Sequence, residues 1–164
     1  WESKRERVEG PSDRVARFEK ASIAIAKAII RNRTSEQGGS GVPVVVEGNR
    51  DVDTLRALGF TGPIEKVNRG WDRSRLVAYL HSEFCISETH DGGPSVIVLM
   101  DWDRTGGRLQ TSIKDRLMAL DVKVDEGLRN TLLRTLKPEG RTVESLLPHA
   151  SALEPLVQGF LSEM

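Results

Sequence analysis

Asp101 and Asp103 come directly after the apolar run Val96-Ile97-Val98-Leu99-Met100, spaced by one residue, and Gly106 follows close behind. Glu47 ends a second apolar run, Val42-Pro43-Val44-Val45-Val46, and leads into Gly48, Asn49, Arg50 and Asp51. Uninterrupted β-branched runs of this kind read as strands buried on both faces of a sheet. Ligands of open α/β sheets bind beyond the carboxyl ends of such strands, so both acidic motifs stand where chemistry is usually done. Aspartates also end strands and cap helices, which is the competing reading of each acid taken alone. If the two strands are central and parallel, Glu47, Asp101 and Asp103 converge on one sheet edge. Carboxylates crowded in this way repel unless a cation neutralises them or a proton is shared. A hard divalent ion with oxygen ligands, Mg²⁺ first and Mn²⁺ as its substitute, is the expected cofactor.

The elements that must position these acids alternate along the chain. Val15, Phe18, Ser22, Ile25 and Ile29 recur at three- and four-residue intervals and predict a helix over 13–33, with Ser12 or Asp13 at its cap. Two uses are open to this helix: packing on the sheet, or pairing with a second copy as a homodimer. The Ser/Gly-rich segment 34–41 reads as a flexible connector, since it lacks the lysine and the preceding strand of a phosphate-binding loop. Strands are expected over 42–47, 64–67, 95–100 and 122–124. Helices are expected over 51–58, 72–84, 104–120 and 125–136, the third with Leu109, Ile113, Leu117 and Leu120 on its inner face. Helical spacing returns over 143–147 and 151–161. The order β-α-β-α-β-α-β-α implies an α/β fold: a mainly parallel four-stranded sheet flanked by helices, with an extra N-terminal helix and C-terminal helices. The expected division is 1–41 for helix and linker, 42–124 for the sheet domain, and 125–164 for a helical extension packed on it.

Composition narrows the function classes. The 164 residues fit one domain with a sizeable core, and 24 basic side chains balance 24 acidic ones. No global basic field advertises nucleic acid, so any polyanion site must be local or metal-mediated. The single Cys85 forms no internal disulfide, which suits a cytoplasmic location. The apolar stretch 21–30 is broken by Lys27 and too short to span a bilayer, so no membrane association is expected. The first residue is Trp1 rather than Met, and whether an upstream segment or a partner protein completes the site is left open by the sequence.

The order and lead-ins of the two acidic motifs resemble the Toprim domain, shared by bacterial-type DNA primases, topoisomerases, some nucleases and recombination proteins. The resemblance covers about half of the chain, from Val42 to Val124. Asp125-Glu126-Gly127-Leu128-Arg129 and Thr142-Val143-Glu144-Ser145-Leu146 are further similar to small stand-alone archaeal Toprim proteins, which are primase-like. The resemblance implies a Rossmann-like Toprim fold and Mg²⁺-dependent phosphodiester chemistry on DNA or RNA. It implies Glu47 as catalytic acid/base or shared metal contact, and Asp101 and Asp103 as metal ligands. Asp51 matches the acid that follows the first motif, as a water-mediated metal contact or as a helix cap. Gly48 and Gly106 match small-residue positions that let a phosphate backbone approach. Met100 departs from the pattern, which usually has a small polar residue there.

Several side chains around the motifs carry two readings each. Arg50 and Arg104 offer bidentate contacts to phosphate or are solvated. Arg69, Arg73 and Arg75 form the densest basic patch, a track for a nucleic-acid backbone or a solvated helix start. Trp71 and Trp102 offer stacking surfaces, but a core role is favoured for Trp71, and Trp102 can point into the sheet. His81, His90, His149 and Cys85 have no zinc spacing. Tyr79, the one tyrosine, falls mid-helix, which disfavours strand passage. The expectation is nuclease-type hydrolysis, with primase-like nucleotidyl transfer and a non-catalytic DNA- or RNA-binding adaptor as alternatives. Asp101-Trp102-Asp103-Arg104-Thr105 also fits the Asp-x-Asp-x-Thr pattern of haloacid-dehalogenase-type phosphatases. That reading fares worse, because the motif ends the third strand and no later acidic pair follows.

Overall fold

The two apolar runs that lead into the acids lie side by side as parallel strands, Val44 paired with Ile97 and Val45 with Val98. The computed structural model describes residues 11–164; the charged stretch 1–10 lies outside the described residues. The strands are β1 (Val44–Val46), β2 (Ile64–Lys66), β3 (Val96–Val98) and β4 (Val124–Asp125), all parallel in the order β2-β1-β3-β4. The helices are α1 (Pro11–Asn32), α2 (Asn49–Leu58), α3 (Arg73–Phe84), α4 (Arg104–Met118), α5 (Gly127–Thr135) and α6 (Ala150–Glu163). Short 3₁₀ turns span Ser35–Gln37 and Glu144–His149.

The sheet separates two cores, because strand side chains alternate. Val44, Val46, Ile97 and Leu99 join the core built by α1, α2, α5 and α6, whereas Val45, Val96, Val98 and Met100 join the one built by α3 and α4. After β1 the chain enters α2 on the first face, and after β3 it enters α4 on the second. The crevice between β1 and β3 is therefore a topological switch point, where open α/β sheets bind ligands.

The strands are shorter than the apolar runs, and the physical reason is visible at both ends. Before β1, the fully buried Asn32 takes over the backbone: its Nδ2 donates to Val42 O (2.8 Å) and Pro63 O (2.9 Å), and its Oδ1 accepts from Gly62 N. After β3, Leu99 N still reaches Val45 O, but Met100 N donates to Gln110 Oε1 and Asp101 N to Glu47 Oε2. Side chains thus replace the ladder where the acids begin.

Four further expectations are corrected. The segment 34–41 is a hydrogen-bonded reversal, with Gly41 N donating to Arg33 O and Val42 N to Arg31 O. A Cβ at Gly39 would meet Arg33 O at 2.1 Å, so glycine there serves a close approach and not flexibility. Val15 is 56% exposed, outside the buried stripe of α1. Helix α4 ends at Met118, and Leu120 beyond it is 43% exposed. The helix α1 starts at Pro11, so Asp13 lies inside its first turn. Its stripe, from Phe18 to Ile29, is buried within this chain against α5 and α6. No helix among the described residues is long and apolar enough to cross a membrane.

Candidate active site

Each acid at the switch point is held by a backbone amide. Glu47, leaving β1, accepts the N–H of Asp101 on Oε2 at 3.0 Å, which ties the two motifs together. Asp101 accepts the N–H of Val143 on Oδ1 at 2.8 Å. Asp103 is the N-cap of α4 and accepts the N–H of Gly106 on Oδ1 at 2.7 Å. Asp51, in the first turn of α2, accepts the N–H of Gly48 on Oδ2 at 3.1 Å and is 8% exposed. Glu47, Asp101 and Asp103 each keep a second oxygen that makes no hydrogen bond among the described residues.

These carboxylates act on one another. Burial, then the negative charges of Glu47, Asp51 and Asp103, push Asp101 from 3.8 up to about 7, against the lowering effect of the Val143 amide. Burial likewise raises Asp51, with Glu47 and Glu144 adding to the effect and the Gly48 amide opposing it. Asp101 and Asp51 therefore hold their protons more tightly than free carboxylates do, as burial beside other negative charge dictates.

Of the nine residues expected at the site, the four acids, Gly48 and Gly106 are brought to this edge. Gly106 is required there, since a Cβ would meet Asp101 O at 2.0 Å. Gly48 has open space around it, the nearest atom to an added Cβ being Asn68 Nδ2 at 3.7 Å. Arg50 is exposed and pairs with Glu144 at 3.4 Å. Arg104 is exposed at the start of α4, with no ion pair among the described residues. Arg73 starts α3 and donates to Ser112 Oγ at 3.0 Å, beside the edge and not within it. Trp102 is 3% exposed, sits in the first core and donates Nε1–H to Gly140 O.

The sequence reading missed the groups that hold the β3–α4 turn in place. Arg129 on α5 donates Nε–H to Met100 O (3.1 Å) and Nη2–H to Asp101 O (2.9 Å). A cation in the first turn of a helix opposes the helix dipole, and that oddity was the available signal. Gln110, buried on α4, accepts from Met100 N and donates to Val98 O and Glu126 Oε2. Its signal was a glutamine on the stripe that also carries Gly106, Ile113 and Leu117.

The four carboxylates at the edge offer oxygen donors, the donor type of a hard divalent cation. Among the described residues no three His, Cys, Asp or Glu side chains are gathered closely enough to enclose a metal ion. Mg²⁺ does not need such a cage, because it keeps several waters and is commonly held by one or two carboxylates. The residues fit the ion on that basis.

No family model matches the chain. It is 33% identical over 120 residues to the UPF0292 protein of Methanosarcina acetivorans, covering 73% of this chain and 76% of that protein. It is 33% identical over 131 residues to the UPF0292 protein of Methanosarcina barkeri, covering 79% and 82%. A solved structure of an Aquifex aeolicus protein superposes over 84% of this chain and 98% of that one, with 21% identity and a TM-score of 0.49.

Proposed function

Because this chain belongs to the UPF0292 family, whose name carries no activity, its chemistry has to come from its own residues, and we propose that it is a stand-alone Toprim protein that hydrolyses nucleic-acid phosphodiesters with Mg²⁺. One observation carries the reading: Glu47 and Asp101, far apart in sequence, share a 3.0 Å hydrogen bond at the switch point of a parallel sheet. Asp101 and Asp103 would hold the ion through their unengaged oxygens, with Asp51 behind them. Bound there, Mg²⁺ would offset the charge that develops on the phosphoryl oxygens. Glu47, anchored through Oε2, has its other oxygen to accept the proton of an attacking water as the water oxygen bonds to phosphorus and the bridging P–O bond breaks, the bridging oxygen leaving with the electron pair and taking a proton from solvent. Gly48 leaves room for the phosphate, and the exposed Arg50 and Arg104 flank its approach.

Primase-like transfer would use the same acids with a sugar hydroxyl in place of water. A non-catalytic adaptor is favoured by one observation, that no three acids are gathered to enclose an ion. One assay separates the three. Wild type, Glu47→Gln and Asp101→Asn are incubated with labelled DNA and RNA in Mg²⁺, Mn²⁺ or EDTA. The proposal expects cleavage that needs the metal and falls by about 10²-fold or more in Glu47→Gln, with the circular dichroism unchanged. Extension of the label supports transfer. Retention without turnover, equal in EDTA and in both variants, supports the adaptor and refutes hydrolysis.

A further inference from the structure

Beside the acidic edge lies a polar groove of about 580 Å³, lined by Asn68, Gly70, Trp71, Arg73, Ser74 and Arg116 among others. That volume is within the range of ligand sites. The groove begins where the acids end: Asn68 N donates to Glu47 O at 2.9 Å, and Asn68 Nδ2 faces Gly48. Among the described residues its guanidiniums are not held by carboxylates, as several others in the molecule are. Arg17, Arg31, Arg50, Arg69 and Lys114 are each paired with a carboxylate. Arg73 and Arg116 instead donate, among the described residues, to the hydroxyls of Ser112 and Ser74, both at 3.0 Å. Arg75 has neither ion pair nor side-chain hydrogen bond among the described residues and rests over the Trp71 ring at 4.4 Å. Asp72 also lines the groove and accepts the Arg75 N–H as the cap of α3, so these three guanidiniums outnumber the one carboxylate that lines it and leave a local positive field in a chain of zero net charge.

We propose that this groove is the path of a single nucleic-acid strand leading to the acidic edge, its phosphates on Arg73 and Arg116 and one base on Trp71. The proposal rests on reading that edge as a phosphodiester site and adds which form of nucleic acid it takes. Cations that track a backbone next to an aromatic platform are the signature of single-strand binding, since a paired base offers no free face. Arg69 is fixed over Trp71 by Lys66 O and Glu65, so its guanidinium stays in place. Arg75 is free to swing away, giving its place on the ring to a base and its charge to the neighbouring phosphate. Guanidinium and base are both planar groups, and one substitutes for the other on an indole face.

The test measures affinity by anisotropy with fluorescein-labelled oligothymidylate, oligouridylate and a duplex of equal length, in EDTA and across a salt series. Compared are wild type, Arg73→Gln/Arg116→Gln, and a control with the same charge change on the remote helix, Lys20→Gln/Lys27→Gln. The groove variant is expected to lose two phosphate contacts. Its salt slope then falls by about 1.4 and its affinity by about 25-fold at 0.1 M salt, while the control stays at the wild-type value. Single strands are expected to bind more tightly than the duplex and to quench tryptophan fluorescence, a quench lost in Trp71→Phe. Equal losses in the groove and control variants, or tighter binding of the duplex, would overturn the proposal. If wild type binds strands through the groove but cleaves none, the phosphodiester reading fails and the groove stands. If wild type cleaves and the groove variant keeps both its affinity and its KM, the groove fails and the phosphodiester reading stands.

Discussion

Asp101→Asn isolates the electrostatics of the acidic edge. In the folded chain Asp101 keeps its proton up to about pH 7, while the ordinary value for the unfolded chain is 3.8. Between these limits the folded state binds a proton that the unfolded state has released, so stability from this group falls as pH rises from about 4 to 7. It is flat on either side of that window. Three pH units at 1.36 kcal/mol each give about 4 kcal/mol for a fully desolvated carboxyl, and half-burial with solvent screening reduces this to about 1–2 kcal/mol. Asparagine keeps the Oδ1 acceptor for the Val143 amide and removes the titration. Urea unfolding of both proteins at pH 5 and pH 8 reads the effect. The stability of the variant relative to wild type is expected to rise by about 1 kcal/mol between the two conditions, which span two of the three pH units, with Asp51 titrating in both proteins and largely cancelling. On the proposed reading Mg²⁺ would bind the ionised form, so it is expected to stabilise the wild type more at pH 8 than at pH 5, and the variant less at either pH. A stability difference that stays constant from pH 5 to pH 8 would refute the picture of a carboxyl held protonated by burial and its acidic neighbours.

Two further substitutions probe the turn that carries the aspartates. Gly106→Ala forces a methyl group to 2.0 Å from the carbonyl oxygen of Asp101, a contact with backbone that cannot rotate away. A loss of about 1–3 kcal/mol is expected, seen as a thermal midpoint several degrees lower, and an unchanged midpoint would contradict the close approach. Arg129→Gln removes the charge-assisted bonds to Met100 O and Asp101 O, at an expected cost of about 2–3 kcal/mol in urea unfolding. Arg129→Lys should recover little of that loss, because one ammonium does not reproduce the fork that spans two carbonyls. Full recovery by lysine would show that charge alone matters.

The layout of the fold was legible because its signals are hydrophobic and local. The runs at 42–46 and 96–100 announced buried parallel strands, and the acids that end them followed from strand direction alone. Strand ends were not legible, since Asn32, Gln110 and Glu47 take over the backbone hydrogen bonds by contacts distant in sequence. Composition misled at 34–41, where glycines that look like a linker answer a left-handed φ at Gly38 and a tight approach at Gly39. Periodicity misled at Val15 and Leu120, which keep the helical spacing beyond the reach of the core. Trp71 divides between its two readings: it packs edge-on against Tyr79 at 5.3 Å and still lines the groove.

The acids were the visible half of the site, and their supports were hidden for a physical reason. A carboxylate must be a particular residue type, whereas most of its supports are backbone groups, which any residue supplies. Val143 N holds Asp101, Gly106 N holds Asp103, and the carbonyls of Gly140 and Arg141 hold Trp102 between them. Three of those four groups, together with Arg129, come from beyond β4. The segment that follows the sheet is therefore part of the machinery that aims the carboxylates, even though its own side chains present almost no acid or nucleophile to the edge. That division of labour explains why motif spacing located the acids and could not locate what orients them: charge is written in residue identity, while orientation is written in the path of the chain.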